Sequence, residues 1–195
     1  MQEIDLQQLK DDPKLKQNLQ KLVQEAKEEQ SVAKAYSVLD ASLLLEEDDE
    51  KIDSLFAEVL QISFDDLAQK LTNKTRFNCS DDEDLARMRA IYEHAIEKYS
   101  TGDYVGAKEI FLVLYHMFDS ISYMQKPMAV HIVAAAKEID FDTFFESYTD
   151  PKAISEDLTR YAHFIKHFSI DVDAFLEEND AILQEAFKEL DGLKA

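Results

Sequence analysis

Apolar residues recur every three or four positions along most of this chain, the spacing that places them on one face of an α-helix. The first such run follows Asp12, a good capping residue, and Pro13, which suits the first turn, so a helix is predicted to begin at Pro13. The apolar register continues to Leu45, with breaks predicted near Gln30 and near Asp48. The pattern therefore predicts a helical segment at the N-terminal end.

The same spacing continues beyond the acidic stretch around residue 48. Residues 52–60 are predicted to form a short amphipathic helix, and Ser63 is predicted to cap another helix that runs through Leu71. Residues 72–78 have no apolar period and are interpreted as a linker. We therefore predict two domains, an N-terminal helical lobe or dimerisation arm over 1–77 and a second helical domain over 78–195.

Leucine stripes in the first domain are the reason for the dimerisation hypothesis. If the N-terminal helices pack as a lobe or pair with a second copy, their apolar faces are expected to be shielded from water. The residues concerned are Leu15, Leu19, Leu22 and Leu43. The first domain is therefore expected to be either a lobe of its own or a dimerisation arm, and the second alternative would give a homodimer.

A helical hairpin is predicted at the start of the second domain. Ser80 and Glu83 have the spacing of a capping box, and the apolar face that follows extends to Tyr99. Gly102 is predicted to end this helix with a positive φ, and a second apolar face then runs to Phe118. Two helices joined by so short a turn pack antiparallel, which is an αα-hairpin.

Four more helical segments are predicted in the remainder of the chain. One spans residues 127–139, and Asp140 is expected to cap a short helix that follows it. Asp150 stands before a proline and is expected to cap a helix that continues through Ile165. The last helix is predicted to open at Asp171.

Composition favours the same fold class. Only three Gly and three Pro occur in 195 residues, although these two residues punctuate the many turns of sheet proteins. Hydrophobic residues make up 46% of the chain, which is enough to build a packed core. The prediction is an all-α protein of antiparallel helical hairpins.

The hairpin at residues 91–118 resembles a tetratricopeptide repeat, a family that pairs two antiparallel helices around a turn written Y-x-x-G-D/K-Y-x-x-A-x-x-x-F. The matching residues are Tyr99, Gly102, Asp103, Tyr104, Ala107 and Phe111. The resemblance implies a TPR-like helical repeat in the C-terminal part, with a neighbouring repeat about 34 residues later. That neighbour is degenerate, because no glycine precedes Phe141.

Within that family the hairpin is most similar to the first repeat of type III secretion translocator chaperones. These are small acidic cytoplasmic proteins that hold secreted, membrane-active subunits in a concave groove. The resemblance implies a non-catalytic chaperone or adaptor, and it places partner-binding residues on the first helix of the hairpin. We accordingly predict that Tyr92, Ile96 and Tyr99 contact the partner. The chain departs from that family in its longer N-terminal region.

The net charge of the chain limits which classes of partner are expected. Asp and Glu number 41 against 21 Lys and Arg, a formal net charge of -20. Nucleic acids and anionic membranes are bound through cationic side chains, so such a chain is predicted to bind neither. Basic or amphipathic polypeptides are the expected partners, although solubility alone also explains an acidic surface.

Targeting signals and membrane-spanning segments are not predicted. The opening residues MQEIDLQQLK lack the basic and apolar regions of a signal peptide, and no apolar run approaches the roughly 20 residues of a membrane span. The cytoplasm is the expected compartment, without direct membrane insertion.

One histidine pair is the best candidate for catalytic chemistry. His163 and His167 lie four positions apart on the predicted helix, with Asp171 four further on, which is a metal-ligand spacing. Asp171 also suits a helix cap, and paired helical histidines are commonly structural. No nucleophile or phosphate-binding motif is present, so we predict no enzyme and no cofactor. A structural or regulatory assembly subunit is the second hypothesis, and a metal-dependent enzyme is the third.

Overall fold

The computed structural model of the chain describes residues 12–45, 48–118 and 122–193. The predicted all-α class is confirmed, since ten helices and no strand are found in these ranges. The helices are α1 Pro13–Glu29, α2 Val32–Leu44, α3 Asp49–Thr72, α4 Asp82–Ser100, α5 Tyr104–Met117, α6 Ser122–Ala136, α7 Phe141–Tyr148, α8 Pro151–Glu156, α9 Val172–Glu178 and α10 Asp180–Leu193.

The chain divides into two compact units, which we call the N-terminal unit and the C-terminal unit. The division falls inside α4, between Ala90 and Ile91. The boundary drawn from the sequence lies earlier, between residues 77 and 78, in the non-helical segment that precedes α4. A helix can belong to two cores in succession, and an aperiodic segment is then a poor guide to where one core ends.

Helix α1 begins and ends where the sequence predicts. The carboxylate of Asp12 accepts a hydrogen bond from the amide of Lys14, with Pro13 in the first turn. Gln30 then takes a left-handed conformation, with φ 52°, and closes the helix. The predicted breaks near Gln30 and Asp48 are both confirmed, because Ser31 caps α2 and Asp48 caps α3.

The predicted break at Ser63 is wrong. Helix α3 continues through this position for 24 residues, from Asp49 to Thr72. The Ser63 hydroxyl, which was expected to cap a new helix, instead donates a 2.7 Å hydrogen bond to the carbonyl of Val59 inside the helix. A buried serine can bond back to its own helix in this way, so a capping residue type alone does not mark a helix start.

The capping box predicted at the start of α4 is also wrong. Asp81 caps the helix, because its Oδ1 accepts a 3.0 Å hydrogen bond from the amide of Asp84. The Glu83 carboxylate instead accepts hydrogen bonds from the hydroxyl of Ser31 and, at 3.0 Å, from the amide of Val32. Glu83 thus completes the cap of α2, a helix distant in sequence but adjacent in the N-terminal unit.

The core of the N-terminal unit lies between α1, α2, α3 and the first part of α4. Its buried members are Ala26, Val32, Ala35, Tyr36, Leu39, Val59 and Ala90. Leu15, Leu19 and Leu22 are partly buried against the unit, as expected. Leu43 is 58% exposed, so this unit does not shield the leucine at the end of α2.

The hairpin predicted in the C-terminal unit is present. Helix α4 ends at Ser100, Gly102 has φ 84°, and α5 begins at Tyr104. Asp103 caps α5 through a 3.0 Å bond from the amide of Gly106 and holds Lys98 in a salt bridge. The turn therefore combines a glycine that accepts the left-handed conformation with a carboxylate that starts the next helix.

Three further helix starts are confirmed, since the carboxylates of Asp140, Asp150 and Asp171 cap α7, α8 and α9. Helix α6 begins earlier than predicted, at Ser122, and contains Pro127.

The helix predicted to continue from residue 151 through Ile165 is wrong. Helix α8 ends at Glu156, and residues 157–170 form an irregular loop. The Asp157 carboxylate accepts a 2.8 Å bond from the amide of Thr159, a local turn that competes with helix formation.

Candidate functional site

The predicted partner-binding tyrosines lie in the core of the C-terminal unit. Tyr92 is 2% exposed and Tyr99 is 1% exposed, while Ile96 is partly buried. Their rings pack among aromatic neighbours, with Phe111 against both of them. The expectation that the tyrosines line an open groove is therefore corrected, because this face of α4 is covered by the aromatic core.

A buried hydrogen-bond network explains the place of Tyr92. Nδ1 of His131 lies 2.7 Å from the carbonyl oxygen of Pro127, which can only accept, so Nδ1 carries the proton. Nε2 of His131 then accepts a 3.1 Å hydrogen bond from the Tyr92 hydroxyl, whose oxygen accepts another at 2.9 Å from the amide of Ile165. Every polar atom of this network is satisfied.

The network is structural and uncharged. Burial lowers the pKa of His131 to about 4 and raises the pKa of Tyr92 far above its ordinary range. Both side chains are consequently neutral at physiological pH. The bonds tie α4, α6 and the loop around Ile165 together.

Tyr99 differs from Tyr92 in one respect. Its ring makes edge contacts with Phe111 and Phe141, but no described residue makes a hydrogen bond with its buried hydroxyl group. Burial raises the pKa of this phenol. Tyr99 thus contributes its ring to the core, at a position where its hydroxyl group makes no hydrogen bond with any described residue.

The helical arrangement of His163, His167 and Asp171 that was predicted as a possible metal site is not present. His163 and His167 lie on the irregular loop instead of a helix. The carboxylate of Asp171 caps α9. His167 contacts the buried Asp157 carboxylate at 3.0 Å. Within the described ranges no group of three His, Cys, Asp or Glu side chains could hold a metal ion.

Asp157, Lys166 and His167 form a cluster that fixes this loop, which we call the Asp157 cluster. The Asp157 side chain is 4% exposed. Its Oδ2 contacts Nζ of Lys166 and Nε2 of His167. Burial, followed by the charge of Lys166, lowers the pKa of His167. Since the carboxylate also binds the amide of Thr159, the cluster joins both ends of the loop.

A cleft of about 450 Å³ in the C-terminal unit is a candidate binding site. We call it the α10 cleft, because α10 supplies most of its walls, with α5 and the end of α6 completing them. It is lined by Lys108, Ala136, Ala181, Ile182, Glu185, Ala186 and Glu189. Three alanines at the junction of three helices leave space that larger side chains would fill.

The rim of the α10 cleft carries two carboxylates, each of which pairs with a lysine of the same chain. Glu185 and Glu189 are exposed and lie one helical turn apart. Glu189 pairs with Lys108 at 2.7 Å, and a hydrogen bond from Lys188 lowers the pKa of Glu185. An apolar floor with a carboxylate rim can bind an apolar side chain flanked by cationic residues. Sequence reasoning missed this site, although alanine and glutamate do alternate along one face of α10.

The N-terminal unit contains a second, smaller cleft of about 390 Å³. It is lined by Lys16, Leu19, Gln20, Val23, Val38, Ser42 and Lys51. Leu43 and Leu44, which are both exposed, directly follow Ser42 in the sequence. This surface is a candidate for contact with a second copy or a subunit.

Comparisons with protein-family models, with curated proteins and with solved structures find nothing that matches this chain. In the part of the chain that the structure describes, no helix is long and apolar enough to cross a membrane. The geometry of the two clefts is therefore the main guide to function.

Proposed function

We propose that this chain is a non-catalytic protein-binding module that holds a basic, amphipathic segment of a partner polypeptide in the α10 cleft. The observation that carries the proposal is the combination of an apolar floor at Ala136, Ala181 and Ile182 with a carboxylate rim. Direct contact with the partner is confined to the cleft. The net charge of -20 attracts a basic partner over longer distances.

Small side chains on the floor define what the cleft can accept. Ala136 and Ala181 are exposed, Ala186 is buried, and all three line the cleft, so a leucine or phenylalanine from a partner can enter between α6 and α10. Anchors that fill such pockets carry most of the energy of an interface, about 2 kcal/mol or more each. Cationic residues beside the anchor would compete with Lys188 for Glu185 and with Lys108 for Glu189, and would set the orientation.

The sequence resemblance supports a more specific form of the proposal. The hairpin from Ile91 to Phe118 is similar to a repeat of type III secretion translocator chaperones, and acidic charge is shared with them. In that form, the chain is a cytoplasmic TPR-like chaperone or adaptor that holds an apolar segment of a secreted protein. The groove would lie at α10 instead of at Tyr92 and Tyr99, which are buried.

A structural or regulatory assembly subunit is the second candidate function. The observation that favours it is the exposed pair Leu43 and Leu44 beside the cleft of the N-terminal unit. Exposed leucines at the end of an amphipathic helix are suited to contact with another subunit.

Binding can be tested with three synthetic helical peptides followed by fluorescence anisotropy. The first has an apolar leucine face and lysine on the other positions, the second replaces lysine by glutamate, and the third replaces leucine by serine. The proposal predicts that the first peptide binds and that added salt weakens it. Equal binding of the first two peptides, or binding of the third, would contradict the acidic-rim account.

A matched pair of variants locates the binding surface. Ala181→Phe fills the α10 cleft from an exposed position in the first turn of its helix, so it should abolish binding of the lysine peptide without unfolding the chain. Ala174→Phe adds the same side chain at an exposed first-turn position of α9, outside the cleft. Retained binding in the Ala181→Phe variant would show that the peptide binds outside the α10 cleft.

A further inference from the structure

Two exposed leucines end helix α2 in the N-terminal unit. Leu43 is 58% exposed and Leu44 is 60% exposed. Single exposed leucines are ordinary on a protein surface, but two adjacent ones form an apolar patch. Both directly follow Ser42, which lines the cleft of about 390 Å³ in this unit, here called the N-terminal cleft. The end of α2 therefore places exposed apolar side chains beside a cavity.

The walls of the N-terminal cleft are largely apolar. Leu19 and Val23 of α1 and Val38 of α2 line it, and the two α1 residues are only partly buried. Of the 17 residues of α1, all of which the structure describes, Ala26 alone is buried. Pockets that hold small molecules have volumes of about 300–1,000 Å³, so the cleft has room for leucine side chains. The apolar face of α1 is thus incompletely covered by its own unit.

Basic residues lie at one side of this surface. Lys14 and Lys16 are exposed in the first half of α1, and Lys16 lines the N-terminal cleft. Residues 13–24 contain three lysines and no acidic residue, within a chain of net charge -20. Neither Lys14 nor Lys16, which we call the basic pair, forms an ion pair with a described residue. The basic pair is therefore available to acidic side chains of another molecule.

Acidic residues lie at the start of α3. Asp49 and Glu50, which we call the acidic pair, are exposed in its first turn. The next residue, Lys51, lines the N-terminal cleft. No ion pair joins either member of the acidic pair to a residue that the structure describes. Charges of both signs thus flank the cleft without being neutralised by each other.

A surface with these four features is self-complementary. It combines an apolar patch with a cavity, and a basic pair with an acidic pair. When two copies meet about a twofold axis, each feature of one copy can face its complement on the other, so every contact forms twice. Two chains of net charge -20 repel each other over longer distances, so association requires local burial and local pairing of this kind.

We propose that two copies of the chain associate through this surface as a closed homodimer. Leu43 and Leu44 of each copy enter the N-terminal cleft of the other, and the basic pair of each copy contacts the acidic pair of the other. The inference goes beyond the α10 cleft and rests on the second candidate function, for which it names a second copy as the subunit. Because both copies use the same surface, association stops at two chains.

Sedimentation velocity of the full chain over a range of concentrations tests the proposal. We expect the average mass of the wild type to rise to that of two chains and no further. The Leu44→Lys variant should stay at the mass of one chain, because its new cation would meet Lys16 in the cleft of the other copy. The variant should still fold, since the position is exposed and a cation suits the C-terminal end of a helix.

Leu158→Lys is the matched control. It makes the same change at a leucine of the C-terminal unit that is 96% exposed, so it should associate as the wild type does. A wild type of constant, single-chain mass would overturn the proposal. Normal association of the Leu44→Lys variant would overturn it too, as would an equal loss of association in the control.

Charge reversal tests the pairing between the two copies. One variant carries Lys14→Glu and Lys16→Glu, and the other carries Asp49→Lys and Glu50→Lys. Each variant alone should stay at the mass of one chain, because both of its contacts join like charges. In a mixture both contacts join opposite charges, so a complex of two chains should return. A mixture that remains at the mass of one chain would contradict the proposed pairing.

Binding of the lysine peptide separates this proposal from that of the α10 cleft. The Leu44→Lys variant should bind the peptide as tightly as the wild type, and the Ala181→Phe variant should still form dimers, because the two surfaces lie in different units. Peptide binding by a wild type that never associates would overturn the homodimer and keep the α10 cleft. Dimers that survive Leu44→Lys would also remove the leucine patch, and with it the second candidate function.

Discussion

The Tyr92 hydroxyl group lies 3.1 Å from Nε2 of His131, and both side chains are buried in the C-terminal unit. Tyr99, on the same face of α4, has a buried hydroxyl group that bonds to no described residue. The hydroxyl groups of these two tyrosines of α4 therefore have opposite energetic roles, and substitution of each by phenylalanine separates them.

Tyr92→Phe should destabilise the chain, whereas Tyr99→Phe should not. The first change leaves the buried Nε2 of His131 and the partly buried amide of Ile165 without this partner, at a cost of about 1–3 kcal/mol in the free energy of unfolding. The second removes a buried hydroxyl group that makes no hydrogen bond with a described residue, so stability should hold or rise. Urea denaturation of both variants measures the difference, and equal losses in the two would show that the network is misassigned.

The buried histidine predicts a loss of stability in acid. The pKa of His131 is lowered to about 4, so the unfolded chain takes up a proton near pH 6.5 while the folded chain does not. The stabilising contribution is present above the unfolded pKa and decreases as the pH falls toward the folded pKa. From about pH 7 to about pH 5 the loss attributable to His131 should be about 2 kcal/mol.

His131→Gln provides the control for this pH dependence. Glutamine does not titrate, so the slope of unfolding free energy against pH should be shallower in the variant than in the wild type. The acidic residues and the other histidines contribute equally to both proteins and cancel in the comparison. Parallel slopes would mean that His131 is accessible to protons in the folded chain.

Glu83 is predicted to stabilise the start of α2. Glu83→Ala removes the acceptor for the hydroxyl of Ser31 and the amide of Val32, which should cost about 1–2 kcal/mol. Asp82→Ala removes the same charge from the first turn of α4 but keeps the Glu83 acceptor at the start of α2, so it should cost less. Thermal unfolding of the two variants measures both losses of stability. A larger loss for Asp82→Ala than for Glu83→Ala would contradict the role of Glu83 in capping α2.

The turn at Gly102 should resist substitution for conformational reasons alone. An added Cβ would meet no atom within 4 Å, but the φ of 84° disfavours any side chain, above all a β-branched one. Gly102→Val should therefore cost more than about 1 kcal/mol. An unchanged melting temperature would show that the turn can take another conformation.

The sequence predicts those features of the fold that depend on local chemistry. Asp12, Asp140, Asp150 and Asp171 each start a helix, because a carboxylate next to free amides acts over two or three residues. The glycine turn at Gly102 is local in the same sense. Such signals need no knowledge of what the helix packs against.

Features that depend on distant partners could not be predicted in this way. Glu83 has a local capping spacing but bonds to Ser31, and the Asp157 cluster ends a helix that the apolar period of residues 151–165 favoured. The α10 cleft is a space between helices, and its alanines are informative only once their neighbours are known. The burial of Tyr92 likewise depends on His131, which lies on another helix.

Chemical-shift mapping of the lysine peptide on the full chain tests the central claim most directly. The account predicts that the largest amide shifts occur at Ala136, Ala181 and Ile182, and that the Ala181→Phe variant shows none of them. Shifts confined to α1, α2 and α3, or the absence of any shift at peptide concentrations that saturate anisotropy, would contradict the assignment of binding to the α10 cleft.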